Sequence, residues 1–222
     1  MKEAISFSSG GKDSILSLHI AHSDGLDISS MMTMIPEDPE SMLYHTHNVH
    51  LVEKIANSIG VEWIPITAPK DQEIESLTKK LIEMNKDYLV TGGIESMYQK
   101  KKFDVACKDA NIIHYSPLWG IQPKQLYDKI LEYNLDVILV SVAAYGLDQD
   151  WLGRHLNKSS IQELLSRADK YRFNAVGEGG DLDSLVLDGP LYGKKLLPKN
   201  TTRLWHGDHG SLEIAEIDEI SK

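Results

Sequence analysis

Two kinds of hydrophobic pattern alternate along the first half of the chain. Short apolar runs typical of β-strands are separated by longer segments in which apolar residues recur every three or four positions, as on one face of a helix. The strand-like runs are residues 4–7, 28–35, 62–66, 88–91 and 112–115. The helical segments between them are residues 14–23, 46–59, 72–85 and 96–110. This regular alternation predicts an α/β fold, a doubly wound parallel sheet with helices on both faces.

The pattern changes after Trp119. Residues 123–133 and 161–171 have helical spacing, and residues 137–142 form one buried apolar strand. From residue 185 onward, short runs alternate apolar and polar positions, which is typical of antiparallel strands. These runs are residues 185–187, 195–197, 202–206 and 212–216. We therefore predict an α/β domain over residues 1–119 and a smaller C-terminal α+β domain over residues 120–222.

Composition narrows the class of protein. The chain has 222 residues, of which 41% are hydrophobic, enough for a sizeable core. Its longest apolar run is about half of a bilayer-spanning length, and the N-terminus lacks the features of a secretory signal, so we expect a cytoplasmic protein with no membrane role. Cys107 is the only cysteine, which excludes an internal disulfide and the thiol pair usual in sulfur transfer. A formal net charge of −10 favours a protein or small-molecule substrate over nucleic acid.

One short stretch carries a recognisable chemistry. Residues 8–14 read SSGGKDS and follow the first strand, at the edge where α/β sheets bind ligands. Adjacent glycines let backbone N–H groups approach anionic oxygens, and the helix start and the serine hydroxyls add to this attraction. Lys12 can stabilise charge on a leaving phosphate group, and Asp13 can hold Mg²⁺ or an orienting hydrogen bond. The spacing is not that of a Walker A loop, and the alternative is a plain turn with Asp13 as helix cap.

The loop resembles the pyrophosphate loop of the N-type ATP pyrophosphatases, which cleave ATP between its α- and β-phosphates. Three further stretches resemble one family of these enzymes, the diphthine-ammonia ligases. They are GGIESMYQ at 92–99 with PLW at 117–119, AYGLD at 144–148 with WLGR at 151–154, and GEGGDLDS at 177–184 followed by LDGPL at 187–191. With Tyr44 and His45 at the start of a helical segment, the resemblance covers nearly the whole chain. In spacing and order it is most similar to the short archaeal form.

The resemblance implies a fold, a reaction and partners. The N-terminal domain would be a Rossmann-like sheet of the adenine nucleotide alpha hydrolase type that binds ATP and Mg²⁺, and the C-terminal domain would bind the substrate. The reaction would be the last step of diphthamide biosynthesis on translation elongation factor 2. The diphthine carboxylate would attack the α-phosphate, pyrophosphate would leave, and nitrogen from ammonium would displace AMP from the acyl adenylate. Free ammonium is implied because no glutaminase region is recognisable, and whether the chain forms a homodimer stays open.

The resemblance also assigns roles to residues. The catalytic candidates are Lys12, Asp13 and Glu178. The nucleotide-binding candidates are Ser8, Ser9, Gly10, Gly11, Lys12, Asp13, Ser14, Gly92 and Gly93. The substrate-binding candidates are Tyr44, His45, Tyr98, Gln99, Tyr145, Gly146, Trp151, Gly153, Arg154, Glu178, Gly179, Gly180 and Asp183. The chain departs from the family at Asp181, Leu182 and Ser184, where a Glu, an aromatic and a Thr are usual, so an acid and a hydroxyl are kept and an aromatic is lost.

Several of these residues have an ordinary structural alternative. Glu178 lies among glycines, so its carboxylate is either a ligand for Mg²⁺, ammonium or the trimethylammonium group of diphthine, or a solvated turn residue. Tyr98, Tyr145 and Trp151 suit a cationic substrate, but core packing is the usual role of a single aromatic. Arg154 is either a bidentate ligand for phosphate or carboxylate, or a solvated charge. The histidines lack the spacing of a helical zinc site, so the sequence assigns no metal ligands.

Two other functions remain open from the sequence. Related pyrophosphatases modify tRNA bases, but the lone Cys107 disfavours thiolation and the acidic charge balance disfavours RNA binding. The other hypothesis is a nucleotide-sensing module that binds ATP without turnover. The presence of Lys12 and Glu178, both suited to catalysis, argues against such a module.

Overall fold

The computed structural model describes residues 2–36, 48–69 and 71–222, and the alternating pattern of the first half forms a parallel sheet there. Its five strands lie in the order β3-β2-β1-β4-β5. They are β1 (Lys2–Phe7), β2 (Leu26–Pro36), β3 (Glu62–Ala68), β4 (Tyr88–Val90) and β5 (Ile113–Tyr115). Every neighbouring pair is parallel, which confirms the predicted α/β class.

Neighbouring residues of the central strands point into two different apolar layers. Ala4 and Val90 belong to the layer that holds the helices of residues 12–23 and 52–59, whereas Ile5 and Leu89 belong to the layer that holds the helices of residues 73–84 and 97–109. Because successive side chains of a strand point to opposite faces, both faces of the sheet are covered, as a doubly wound fold requires. The four helices are α1 (Lys12–Ser23), α2 (Val52–Ile59), α3 (Glu73–Met84) and α4 (Met97–Asp109). The helical segment expected over 46–59 is thus α2 preceded by a 3-10 turn at Val49–Leu51, and residues 46 and 47 lie outside the described residues.

The second half forms a four-stranded antiparallel sheet with two helices. Its elements are α5 (Pro123–Glu132), β6 (Asp136–Val142), α6 (Lys158–Tyr171), β7 (Leu182–Asp188), β8 (Lys194–Trp205) and β9 (Gly210–Ser221). The strand order is β7-β6-β9-β8. The runs predicted separately at 195–197 and 202–206 are one strand, β8, that passes through Pro198. β8 lies at the sheet edge and pairs with β9 alone in the described order, and an edge strand tolerates a proline that cannot donate to a second neighbour.

The two halves are joined around α1 and the loop before it. The N–H of Val186 in β7 donates to the carbonyl of Gly10 at 3.0 Å, and one apolar cluster contains Leu16 of α1 together with Tyr127 of α5. The division predicted near Trp119 falls between β5 and α5 and stays a prediction. In the part of the chain that the structure describes, no helix has the length and apolar character to cross a membrane.

Candidate active site

A cleft of about 820 Å³ opens at the carboxyl ends of β1, β2 and β4. Three segments provide most of its lining: the loop at 8–14, the segment at 91–99 after β4, and the segment at 176–184 before and within β7. This is the volume of a small-molecule site, at the place where α/β sheets bind ligands. The cleft therefore brings together the loop and two of the three sequence motifs.

Glycine and serine hydroxyls set the conformation of the loop after β1. Gly10 has a φ of +80°, a conformation that side chains other than glycine rarely adopt. The N–H of Gly10 donates to Ser8 Oγ at 3.1 Å, and Ser8 Oγ is hydrogen-bonded to Ser14 Oγ at 2.9 Å. Gly11 provides no side-chain cap for α1, and the N–H of Lys12 donates instead to Ser184 Oγ at 3.0 Å. The N-terminal end of α1 borders the cleft, with no side-chain cap at Gly11 and with the Asp13 carboxylate in its first turn. The positive end of a helix dipole favours an anionic ligand.

Lys12 is a fixed cation in the wall of the cleft. Its side chain is only 3% exposed, and Nζ donates to the carbonyl of Val176 at 2.6 Å and to Asp13 Oδ2 at 2.9 Å. A lysine ammonium has three N–H donors, so one remains for a ligand oxygen in the cleft. Lys12 thus connects the loop of the first half to the segment before β7.

The end of β4 packs directly against the start of α1. A Cβ placed on Gly92 would lie 2.6 Å from the backbone nitrogen of Ser14 and 2.7 Å from the carbonyl carbon of Asp13. A Cβ on Gly93 would meet nothing closer than Ser116 Oγ at 3.7 Å. Gly92 is therefore required by close packing of the backbone, whereas Gly93 borders open space in the cleft.

Glu178 lies on a glycine loop of defined shape. Gly177, Gly179 and Gly180 have φ values of +89°, +90° and +89°. The carboxylate of Glu178 accepts a hydrogen bond from the N–H of Glu95 at 3.2 Å, which joins the loop to the segment after β4. Asn174, just before the loop, donates its side-chain amide to Glu95 and accepts from the N–H of Val176 at 2.9 Å. The loop therefore presents Glu178 to the cleft in a fixed position.

The cleft carries more negative than positive charge. Its charged lining residues in the described part of the chain are Lys12, Asp13, Glu178 and Asp183. Three carboxylates against one ammonium give the cleft an excess of negative charge, which attracts cations. Among the described residues, no group of three His, Cys, Asp or Glu side chains is placed to hold a metal ion.

The other predicted substrate residues fall into three groups. Tyr98 and Gln99 line the same cleft, at the start of α4, where Lys102 Nζ lies 4.5 Å from the centre of the Tyr98 ring. Tyr44 and His45 lie outside the described residues. The remaining predicted residues do not line this cleft: Tyr145, Gly146, Trp151, Gly153 and Arg154. Tyr145 and Gly146 line a separate cleft of about 560 Å³, and Trp151 is fully buried.

Two contacts at the site were missed by sequence reasoning. Ser184 supports the loop through its hydroxyl, and its place in the motif at 177–184 was a usable signal. Thr91, in the cleft wall, bonds through Oγ1 to His114 Nε2 at 2.8 Å, and His114 Nδ1 bonds to Asp104 at 2.6 Å. Burial lowers the pKa of His114 despite Asp104, so this imidazole is mostly neutral at neutral pH. No motif in the sequence marks that network.

Cys107 on α4 is buried. Burial, with a smaller contribution from the charge of Asp104, raises the pKa of its thiol to about 12. The thiol is therefore protonated at neutral pH and unsuited to nucleophilic chemistry.

Comparisons with known proteins agree on one family. Residues 1–113 match the diphthamide synthase N-terminal domain, and residues 122–220 match the diphthamide synthase C-terminal domain. A diphthine–ammonia ligase of Danio rerio is 28% identical over 226 residues, covering 90% of this chain and 88% of that protein. One of Mus musculus is 26% identical, covering 94% and 87%. One of Schizosaccharomyces pombe is 30% identical over 85% of this chain but only 35% of its own length.

Proposed function

The chain belongs to the diphthamide synthase family, and we propose from this premise that it is an ATP-dependent ligase that converts diphthine to diphthamide with ammonium. The observation that carries the proposal is the cleft in which the loop at 8–14, Gly92 and the Glu178 loop meet. One wall suits the phosphates of ATP and another suits a cationic substrate. Amidation of diphthine through an adenylate needs both.

We assign the release of pyrophosphate from ATP to the loop at 8–14 and to Lys12. A carboxylate oxygen of diphthine attacks the α-phosphorus, the bond to the bridging oxygen breaks, and pyrophosphate leaves with the electron pair. Negative charge grows on that leaving group, and an ammonium group fixed beside it stabilises the transition state. Lys12 is held by Val176 and Asp13, so little reorganisation is needed when charge develops.

The cationic side of the site follows from the chemistry of diphthine. Its trimethylammonium group and its reacting carboxylate are attached to the same carbon atom, so the cation must lie within a few bond lengths of the attacking oxygen. Glu178 and Asp183 line the same cleft as Lys12 and can face this cation, with the Tyr98 ring at the edge of the cleft. The same carboxylates can draw ammonium to the acyl adenylate and accept a proton from it, because only neutral ammonia has the lone pair that attacks the carbonyl carbon. The bond from that carbon to the AMP oxygen then breaks, AMP leaves with the electron pair, and the new amide nitrogen releases a second proton.

Mg²⁺ would bind in this cleft together with the nucleotide. The cleft offers carboxylate oxygens at Asp13 and Asp183, and Mg²⁺ commonly combines one or two carboxylates with substrate phosphates. Bound there, it would neutralise phosphate charge.

The protein substrate implied by this proposal is translation elongation factor 2 bearing diphthine, and we propose that the enzyme acts on it in the cytoplasm. The test mixes the purified protein with ATP, Mg²⁺, ammonium and that factor, and follows AMP together with the mass of the modified histidine. We expect one AMP for each diphthine lost, with the small mass decrease produced when an amino group replaces a hydroxyl. A factor that lacks diphthine is the matched control and should yield no AMP. AMP formed equally with both factors, or a mass that never changes, would overturn the proposal.

A further inference from the structure

A second cleft lies beside the first and has no part in the chemistry described so far. It has a volume of about 560 Å³, and its lining includes Tyr145, Trp205, Asp148 and Asp208. The floor of this cleft is the turn at 143–148, which carries a motif that the proposed function leaves without a role. Three features of this cleft point to one occupant.

The first feature is a rigid support beneath the turn. Trp151 is fully buried, with the guanidinium of Arg154 at 4.2 Å and that of Arg167 at 5.4 Å from its ring centre. Glu163 pairs with both arginines, at 2.6 Å and 2.8 Å. The two cations thus lie close to one indole ring and share one carboxylate, which fixes the position of the Arg167 side chain.

Arg167 in turn fixes the turn itself. Its Nη1 donates to the carbonyl of Gly146 at 2.8 Å and pairs with Asp148 at 3.3 Å. Gly146 has a φ of +98°, and a Cβ there would overlap the ring of Tyr171. Tyr145 packs its ring edge-to-face with Tyr171 at 5.4 Å, yet 82% of its surface is exposed. An exposed tyrosine on a rigid turn loses little conformational entropy on binding and is a typical anchor of a protein interface.

The second feature is the charge of the cleft. Its charged lining residues in the described part of the chain are Asp148 and Asp208, with no lysine or arginine among them. Asp208, at the tip of the β8–β9 hairpin, has a side chain that is 92% exposed, with His209 as its neighbour at 2.8 Å. Asp148 is already paired with Arg167, so Asp208 is the more available carboxylate. An exposed carboxylate beside two aromatic rings suits a basic side chain rather than an anion.

The third feature is the connection to the active-site cleft. The N–H of Ala143, which lines the second cleft, donates to the carbonyl of Asp181 at 2.9 Å. Residues 177–180 and 182–184, on either side of Asp181, line the first cleft, as does Val140 in β6. One backbone segment therefore separates the second cleft from a substrate bound in the first cleft.

The chemistry of diphthine decides what the second cleft can hold. The reacting carboxylate and the trimethylammonium group share one carbon, so both must enter the first cleft. The second cleft is left for the polypeptide that carries the modified histidine, and a specific protein interface needs more contact area than one side chain provides.

We propose that the second cleft docks the segment of the protein substrate beside the modified histidine, with Tyr145 as its anchor and with Asp148 and Asp208 facing a basic side chain of that segment. This inference rests on the proposed function. Trp151, Arg154, Glu163 and Arg167 are positioning residues, because they act on the substrate only through the shape of the turn.

The test separates docking from chemistry by steady-state kinetics of AMP formation with the diphthine-bearing factor. Tyr145→Ala should raise KM for the factor by about tenfold or more, the loss typical of an interface anchor, while kcat at saturation and the Kd for ATP stay within about twofold. Tyr145→Phe keeps the ring and should stay close to wild type. Ile82→Ala on α3 is the matched control, because Ile82 is also exposed, at 54%, and lies outside both clefts.

A second pair of variants tests the charge. Asp208→Lys should raise KM several-fold, and the difference from wild type should shrink as salt is added, because exposed charges are screened. Glu83→Lys on α3 makes the same charge change at an exposed acid away from the clefts and should leave KM unchanged.

Two outcomes would overturn the docking inference, and they can be told apart. If the wild-type protein forms AMP with the factor but Tyr145→Ala has the KM of Ile82→Ala, the docking inference fails and the ligase proposal stands. If the wild-type protein forms no AMP with the factor, the ligase proposal fails and the docking inference fails with it.

Discussion

Replacing Gly92 by alanine tests how the end of β4 shapes the nucleotide site. The added methyl group would lie 2.6 Å from the backbone nitrogen of Ser14, about 0.8 Å inside the 3.4 Å at which ordinary contact begins. The atoms it meets belong to the backbone at the start of α1, which cannot rotate away as a flexible side chain can. Relief of the overlap therefore requires α1 and the loop at 8–14 to move relative to β4.

The size of the effect follows from the overlap. Overpacking by one methyl group in a close-packed site costs about 1–3 kcal/mol. If the overlap destabilises the conformation in which the loop binds ATP, it raises the Kd for ATP by roughly 5-fold to 150-fold. If the overlap destabilises the fold, it lowers Tm by about 2–12 °C for a chain of this length. We expect Gly92→Ala to show both effects, since the same backbone carries the loop and the core of α1.

The assay is calorimetric titration with α,β-methylene ATP, which cannot be cleaved between those phosphates, together with thermal unfolding. Gly93→Ala is the matched control for the fold, because its Cβ would lie 3.7 Å from the nearest atom and should leave Tm unchanged. A Gly92→Ala protein with the ATP affinity and Tm of the wild type would refute the reasoning.

Three further predictions follow from particular side chains. Lys12→Ala should lower the rate of pyrophosphate release by roughly a hundredfold or more. Glu178→Ala should keep the affinity for ATP within about twofold of wild type and should slow amide formation. An equal loss of ATP affinity in both variants would contradict this division of roles. Cys107, whose thiol pKa is raised to about 12, should react with iodoacetamide at pH 8 at least about a hundredfold more slowly in the native protein than in denaturant, and rapid native labelling would contradict its burial. Burial lowers the pKa of His19 below its ordinary value of 6.5, although the hydrogen bond to the Ile15 carbonyl opposes this shift. As the pH falls below 6.5, the unfolded chain therefore binds more protons at His19 than the folded chain does, and the free energy of unfolding should fall from pH 7 to pH 5. His19→Gln should flatten that fall in Tm, and an unchanged slope would show that His19 does not contribute to it.

The fold was predictable because its pattern is local. Each strand of the parallel sheet is a short apolar run, and each helix places its apolar residues three or four apart, so the alternation alone indicated the layers. The continuity of β8 through Pro198 was not predictable in this way. It depends on β8 being an edge strand, and strand order is set by contacts between distant parts of the chain.

The candidate site, like the fold, was predictable where its residues are contiguous in the sequence and was not predictable where they are distant. The loop at 8–14 is contiguous, so its glycines, Lys12 and Asp13 could be assigned from the sequence, and the family inferred from it and the later motifs is confirmed by the domain matches. The support of Lys12 by Val176 joins residues 164 positions apart, and no local pattern marks such a contact. Likewise, the sequence grouped Tyr145 with Glu178 as substrate residues, but only the fold places them in separate clefts.

The central claim, amidation through an acyl adenylate, is tested most directly by the fate of the carboxylate oxygens of diphthine. The factor is prepared with ¹⁸O in that carboxylate and incubated with the enzyme, ATP, Mg²⁺ and ammonium, and the nucleotide products are analysed by mass spectrometry. The account predicts one ¹⁸O in each AMP formed, because the oxygen that attacks the α-phosphorus leaves with AMP when nitrogen bonds to the carbonyl carbon. AMP without the label, or label in inorganic phosphate together with ADP, would contradict it.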